Sequence, residues 1–178
     1  MKLLIASDIH GSATWCEKLL AAYERERPKK LVLLGDILYH GPRNDLPDGY
    51  APKQVIAMLT PIAKDVLCVQ GNCDTEVDQM VLPFPVLNGY AVLFADGKAL
   101  YCTHGHRPVP PLAEGDYLLC GHTHVPKCEK REGYVYINCG SVSIPKEGSP
   151  HSYMIYEDGI FYWKNMEGEA YMQYECKK

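Results

Sequence analysis

Short apolar runs recur along the first half of the chain, and each stops at a polar cluster. Residues 3–7, 31–34 and 66–69 lack polar alternation, as strands buried on both faces do. Between them the period lengthens. Ser12 opens a helical stretch in which Trp15, Leu19, Ala22 and Tyr23 share a face, and Pro28 closes it. A second helix is expected over residues 52–63, with Val55, Ile56 and Leu59 turned inward. This β-α-β-α-β order predicts a parallel sheet with right-handed crossovers.

The texture changes after Pro83-Phe84-Pro85. Residues 90–94 and 98–102 flank Ala95-Asp96-Gly97, a hairpin signal. Residues 117–120 form another short apolar run. Residues 125–130 and 134–138 flank Glu132-Gly133, and 153–156 and 160–163 flank Asp158-Gly159. The second half is therefore expected to be mostly antiparallel. Two sheets packed face to face with helices outside give an α/β fold: a four-layer α/β/β/α sandwich with one mixed and one mostly antiparallel sheet. No linker divides the chain, so residues 1–178 are one domain, with 166–178 either a mobile tail or an edge strand. Tyr153, Tyr156, Phe161, Tyr162 and Trp163 either fill the core of the second sheet or present an aromatic face to a homo-oligomer.

Composition narrows the function. The apolar fraction of 47% suits a globular core, and the net charge of −4 provides no bulk basic field for nucleic acid. Cys16, Cys68, Cys102 and Cys120 lie inside apolar runs, and no C-x-x-C pair occurs. The expectation is a reduced, cytoplasmic protein. The apolar start is too short for a signal peptide, and no run approaches the ~18 residues of a membrane span.

Five segments then stand out: Asp8-Ile9-His10-Gly11, Gly35-Asp36, Gly71-Asn72-Cys73-Asp74, Thr103-His104-Gly105-His106 and Gly121-His122-Thr123-His124. Each follows an apolar run, where α/β sheets bind ligands. Neighbouring strands lie ~4.8 Å apart, so these ends can converge. Asp8 and His10 are two apart, on one side of an extended segment, and His122 and His124 repeat the spacing. Carboxylates mixed with imidazoles suit two divalent metals, with Mn or Fe expected and Zn or Ni compatible.

In this order the segments resemble the calcineurin-like metallophosphoesterase superfamily, and within it the small YfcE-type phosphodiesterases. Further support comes from His40-Gly41-Pro42-Arg43-Asn44 and Gly140-Ser141-Val142-Ser143-Ile144-Pro145-Lys146. The resemblance implies one metal on Asp8, His10 and His124, and a second on Asn72, His104 and His122. Asp36 would bridge them, opposite a hydroxide that attacks phosphorus. Most of the superfamily has histidine where this chain has Cys73, as the YfcE-type group does. A thiol with a pKa near ~8.5 is a poor general acid, which favours easily departing leaving groups. His106 is the alternative donor. Asp74 is expected to orient a ligand histidine by accepting its free N–H, and Arg43 to clamp a phosphate oxygen. His151 is read as a surface residue.

Few cations occupy these motifs, which favours a small phosphodiester over a phosphomonoester. The fold also serves as a protein-interaction scaffold in the retromer subunit Vps29, so fold alone does not decide function. Retention of all seven ligand positions argues for catalysis.

Overall fold

The computed structural model describes residues 1–176. A seven-stranded sheet has the order β12-β11-β10-β1-β2-β3-β4, and a five-stranded sheet has the order β5-β6-β7-β9-β8. In the first, β1 (Leu3–Ala6), β2 (Lys30–Leu33), β3 (Val66–Val69) and β4 (Val86–Leu87) run parallel. The antiparallel hairpin of β10 (Ser152–Glu157) and β11 (Ile160–Asn165) lies against β1, and β12 (Ala170–Glu175) closes the edge. The second sheet contains β5 (Tyr90–Ala95), β6 (Lys98–Thr103), β7 (Asp116–Cys120), β8 (Lys127–Lys130) and β9 (Tyr134–Asn138).

The pleat divides β1 between two cores. Leu4 and Ala6 pack with Leu31, Leu33, Cys16, Leu19, Val55 and Leu59 under the helices. Leu3 and Ile5 face the other way, with Val32, Leu34, Leu100, Leu119, Ile137, Phe161 and Trp163 between the sheets. This double burial explains the unbroken apolar runs, since a strand covered on both faces has no polar side. The indole N–H of Trp163 donates to the carbonyl of Asn138 at 2.7 Å, tying one sheet to the other.

Helix α1 (Ala13–Glu26) begins where the Ser12 hydroxyl accepts the Trp15 amide, and ends at Arg27 in a left-handed conformation. Helix α2 (Pro52–Leu59) stops four residues before the expected Ala63. Pro61 lacks an amide proton, and residues Thr60–Asp65 tighten into a 3₁₀ turn instead. Helix α3 (Glu76–Val81) was not expected. It is held by a capping box between Thr75 and Asp78, and Val77, Met80 and Val81 stay exposed, so it has no buried stripe to read.

Several expectations are corrected. The second sheet is mixed: β6 pairs with β7, and β7 with β9, in parallel. Each of these pairs spans a long connection, whereas only β5–β6 and β8–β9 are hairpins. The expected α/β fold of two packed sheets with helices is found, and α1 and α2 bury their apolar faces in the core beside β1 and β2. The aromatic hairpin belongs to the first sheet. Tyr153, Tyr156, Phe161 and Trp163 are fully buried within the chain and Tyr162 is half-buried, which is the core-packing alternative. The tail reading fails for residues 170–176: β12 is an edge strand paired to β11, and Cys176 is buried; residues 177–178 lie outside the described residues. His151 is half-buried rather than on the surface, stacked on Trp15 at 3.4 Å, with its Nδ1 at 2.9 Å from the Val142 carbonyl. All eight cysteines are free. No described helix is long and apolar enough to cross a membrane.

Candidate metal centre

The loops after β1, β2, β3, β6 and β7 meet at one end of the sandwich. Their backbones interlock: Asp8 N–H donates to Gly35, His10 N–H to Asp36 and Gly11 N–H to Ile37. Nine of the described non-glycine residues have positive φ, and five of them are expected ligands: Asp8, His10, Asp36, His122 and His124. Side chains other than glycine avoid this region unless surrounding contacts hold them there. For Asp8 those contacts are visible. Its carbonyl accepts the hydroxyls of Ser141 (3.1 Å) and Ser143 (3.0 Å) and the Ser143 amide. The Gly140-Ser141-Val142-Ser143 stretch therefore acts by clamping the backbone of Asp8.

Three imidazoles are oriented by backbone carbonyls. Nδ1 of His10 donates to Tyr39 (2.7 Å), that of His104 to Leu34 (2.6 Å) and that of His124 to Ile144 (2.6 Å). A carbonyl only accepts, so each Nδ1 carries the proton and each Nε2 points into the site. Nε2 of His10 and Nε2 of His124 then face each other at 3.3 Å, with Asp8 Oδ1 at 3.4 Å and 3.2 Å from them. Asp8 Oδ1 is buried and has no hydrogen-bond partner. Two lone pairs and a carboxylate oxygen turned on one point call for a cation there.

The second half is built around Asp36. His104 Nε2 lies 3.3 Å from Asp36 Oδ2 and 3.0 Å from Asn72 Oδ1, and the His122 ring is 5.1 Å from that of His104. Asp8, Asp36 and His104 form one compact ligand group, and Asp8, His10 and His124 another. A third joins His10 and Asp36 to the Cys73 thiol. Gly71 sits so close to Asp36 that a Cβ there would overlap its carboxylate and amide.

Charge follows from this geometry. Burial works against ionisation of Asp8, yet the neighbouring His10, His124 and His104 hold its carboxyl well below the usual range. Burial pulls His104 down, but Asp36 and Asp8 outweigh it and raise the imidazole to about 9. Without metal, the His104 proton is the local counter-charge. Burial and then the His104 charge push His122 and His106 down. Burial and the Asp36 charge push the Cys73 thiol up to about 12.

One expected role changes. The Asp74 carboxylate accepts the backbone amides of Asp36, Ile37 and Gly71, fixing the two loops that carry Asp36 and Asn72, in place of the histidine N–H expected. His106 stands beside the centre, its ring 5.4 Å from that of His104 and 6.2 Å from that of His122, and its Nε2 accepts from Arg107 Nε at 3.1 Å. The cavity over the centre is ≈ 580 Å³, and Asp36, Asn72, Cys73, His122 and His124 line it with Arg43, as expected. Tyr39, Thr75, Thr123 and Lys146 also line it. Sequence reasoning assigned them nothing, because no ligand spacing marks them; Lys146 was visible only as the end of the Gly140-Ser141 motif.

Comparison with known proteins agrees with this architecture. Over 164 residues the chain is 45% identical to phosphodiesterase YfcE of Escherichia coli strain K12, covering 90% of this chain and 89% of that one. The solved structure of the E. coli phosphoesterase Yfce superposes with a TM-score of 0.94 at 42% identity, over 99% of this chain and all of that one. Vps29 of Entamoeba histolytica, solved as a complex with zinc, shares the fold at a TM-score of 0.66 and 19% identity, over 99% of this chain and 100% of that one. Residues 1–158 match the calcineurin-like phosphoesterase superfamily domain, and the chain belongs to that superfamily.

Proposed function

We propose that the chain is a metal-dependent phosphodiesterase that hydrolyses small phosphodiesters, working in the cytoplasm. The observation that carries this reading is the convergence of His10 Nε2, His124 Nε2 and unpartnered Asp8 Oδ1 on one point. The name of the E. coli relative supports it. Two divalent ions fit the donor set, Mn first: one on Asp8, His10 and His124, one on Asn72, His104 and His122, with Asp36 between. Bound there, they would lower the pKa of a bound water and polarise the phosphoryl oxygens.

The chain's own groups do the rest. The Cys73 amide donates to Asp36 Oδ1 at 2.8 Å and holds that carboxylate in place. Asn72 stands exposed at the cavity wall, its Nδ2 at 3.3 Å from the Cys73 thiol. Arg43 at the mouth draws in the anionic ester. The Cys73 thiol, pushed up to about 12, is a weak acid, so the site favours alcohols that leave without a proton.

The test is a paired assay on metal-stripped protein, using a chromogenic phosphodiester and its matching monoester, with and without Mn. Mn-dependent cleavage of the diester in preference to the monoester is expected. Preference for the monoester would move the assignment to a phosphomonoesterase on the same centre. Because a zinc-bound Vps29 shares this fold, metal binding without turnover of either ester would favour a scaffold.

A further inference from the structure

The cavity mouth carries more positive charge than one phosphodiester requires. A diester has a single negative charge, and two divalent ions at the floor would add roughly four positive charges. Yet Arg43 and Lys146 both line the cavity, and among the described residues its only carboxylate is Asp36, at the floor. Neither cation forms an ion pair with an acidic side chain among the described residues. An unpaired cation on a cavity wall is kept for an anion that arrives from solution.

The backbone of Lys146 is tied to the centre. Its amide donates to the carbonyl of His124 at 3.3 Å, and its own carbonyl accepts the Ser149 hydroxyl at 2.7 Å. Glu147 and Gly148 follow with φ of 54° and 70°, so a tight turn pinned to a ligand histidine holds the lysine at the mouth. Tyr39 offers the same cavity a ring 40% exposed. A volume of ≈ 580 Å³ leaves room beyond the reacting phosphate for a substituent of several atoms.

We infer that Arg43 and Lys146 bind a second anionic group of the substrate: a terminal phosphate monoester carried on one alcohol of the phosphodiester. The substrate class is then a phosphodiester with a phosphorylated arm, and Lys146 is the residue that selects it. The inference rests on the phosphodiesterase reading above and adds the second phosphate to it.

Two p-nitrophenyl phosphodiesters of propane-1,3-diol test it, one with a free terminal hydroxyl and one with that hydroxyl phosphorylated. With Mn-loaded wild type, kcat/KM should favour the phosphorylated probe about 10-fold, mostly through KM, and the preference should shrink with salt. Lys146→Gln should remove most of that preference, and Lys146→Arg should restore it. Equal kcat/KM for the two probes in wild type, or a preference that survives Lys146→Gln, overturns the assignment. Failure of both probes to turn over overturns the phosphodiesterase reading instead. In that case the second-anion site is read by calorimetric binding of 3-hydroxypropyl phosphate, which should weaken about 10-fold in Lys146→Gln; equal Kd values overturn it.

Discussion

The carboxylate of Asp74 accepts the backbone amide of Asp36 at 2.7 Å. The same side chain takes the amides of Ile37 (2.9 Å) and Gly71 (2.7 Å), so one buried acid fixes the ends of two neighbouring strands. Asp36 can hold a left-handed conformation because Asp74 binds the amide on each side of its Cα.

Asp74→Asn puts an NH₂ group against donors that need acceptors. With one buried amide unpaired, the variant should lose about 2–3 kcal/mol of stability. Urea denaturation of the metal-free protein measures this. A wild-type midpoint would show that Asp74 is dispensable to the loops. Mn affinity should fall as well, because the loops that carry Asp36 and Asn72 lose their anchor, although Asp74 is not itself a proposed ligand.

Asp36→Ala removes the carboxylate proposed to hold both metals. Metal content by atomic spectroscopy should drop, and diester cleavage should fall by at least ~10³-fold, the scale of losing a transition-state charge stabiliser. Full metal content with retained activity would defeat the two-metal assignment.

Much of this centre could be read from residue order, because a ligand at a strand end follows a buried strand and such strands are unbroken apolar runs. Asp8, His10, Asp36, His104 and His124 converge as expected. What could not be read depends on contacts distant in sequence. Asp74 follows Asn72 and looks like a partner for a histidine, but β2 and β3 are neighbours, so the backbone of Asp36 reaches it first. Nothing near Tyr153 or Trp163 shows that their hairpin crosses to pair with β1. Helix α3 has too little buried surface to leave a pattern, and Pro61 ended α2 inside a stretch whose apolar spacing continued.

Cys73→His should change which alcohols leave. The thiol, at about 12, barely donates, whereas an imidazole with a pKa near 6.5 can donate at neutral pH. Cleavage of esters with alkyl leaving groups should rise relative to p-nitrophenyl esters, by on the order of 10-fold or more. An unchanged ratio across a series of leaving groups would mean that position 73 does not face the departing oxygen.

Glu26 tests the fold apart from the site, since its partner Lys2 precedes β1 while the proposed metal ligands follow it. Its carboxylate is 7% exposed and accepts Lys164 (2.7 Å) and the Tyr153 hydroxyl (3.0 Å) on one oxygen, with Lys2 at 3.0 Å from the other. Burial opposes the charge, but Lys164, Lys2 and Tyr153 together hold the carboxyl below its ordinary value. A depressed folded-state pKa stabilises the protein above the unfolded-state pKa near ~4.3, and this is lost as pH falls through the lower folded value. Glu26→Gln should therefore cost about 1–3 kcal/mol at pH 7. The gap to wild type should narrow as pH drops below ~4.3 and the wild-type carboxyl takes up its proton. Urea melts at pH 7, 5 and 3.5 measure it. A gap constant over that range would mean that the side chain contributes through packing, and that its ion pairs with Lys2 and Lys164 add nothing.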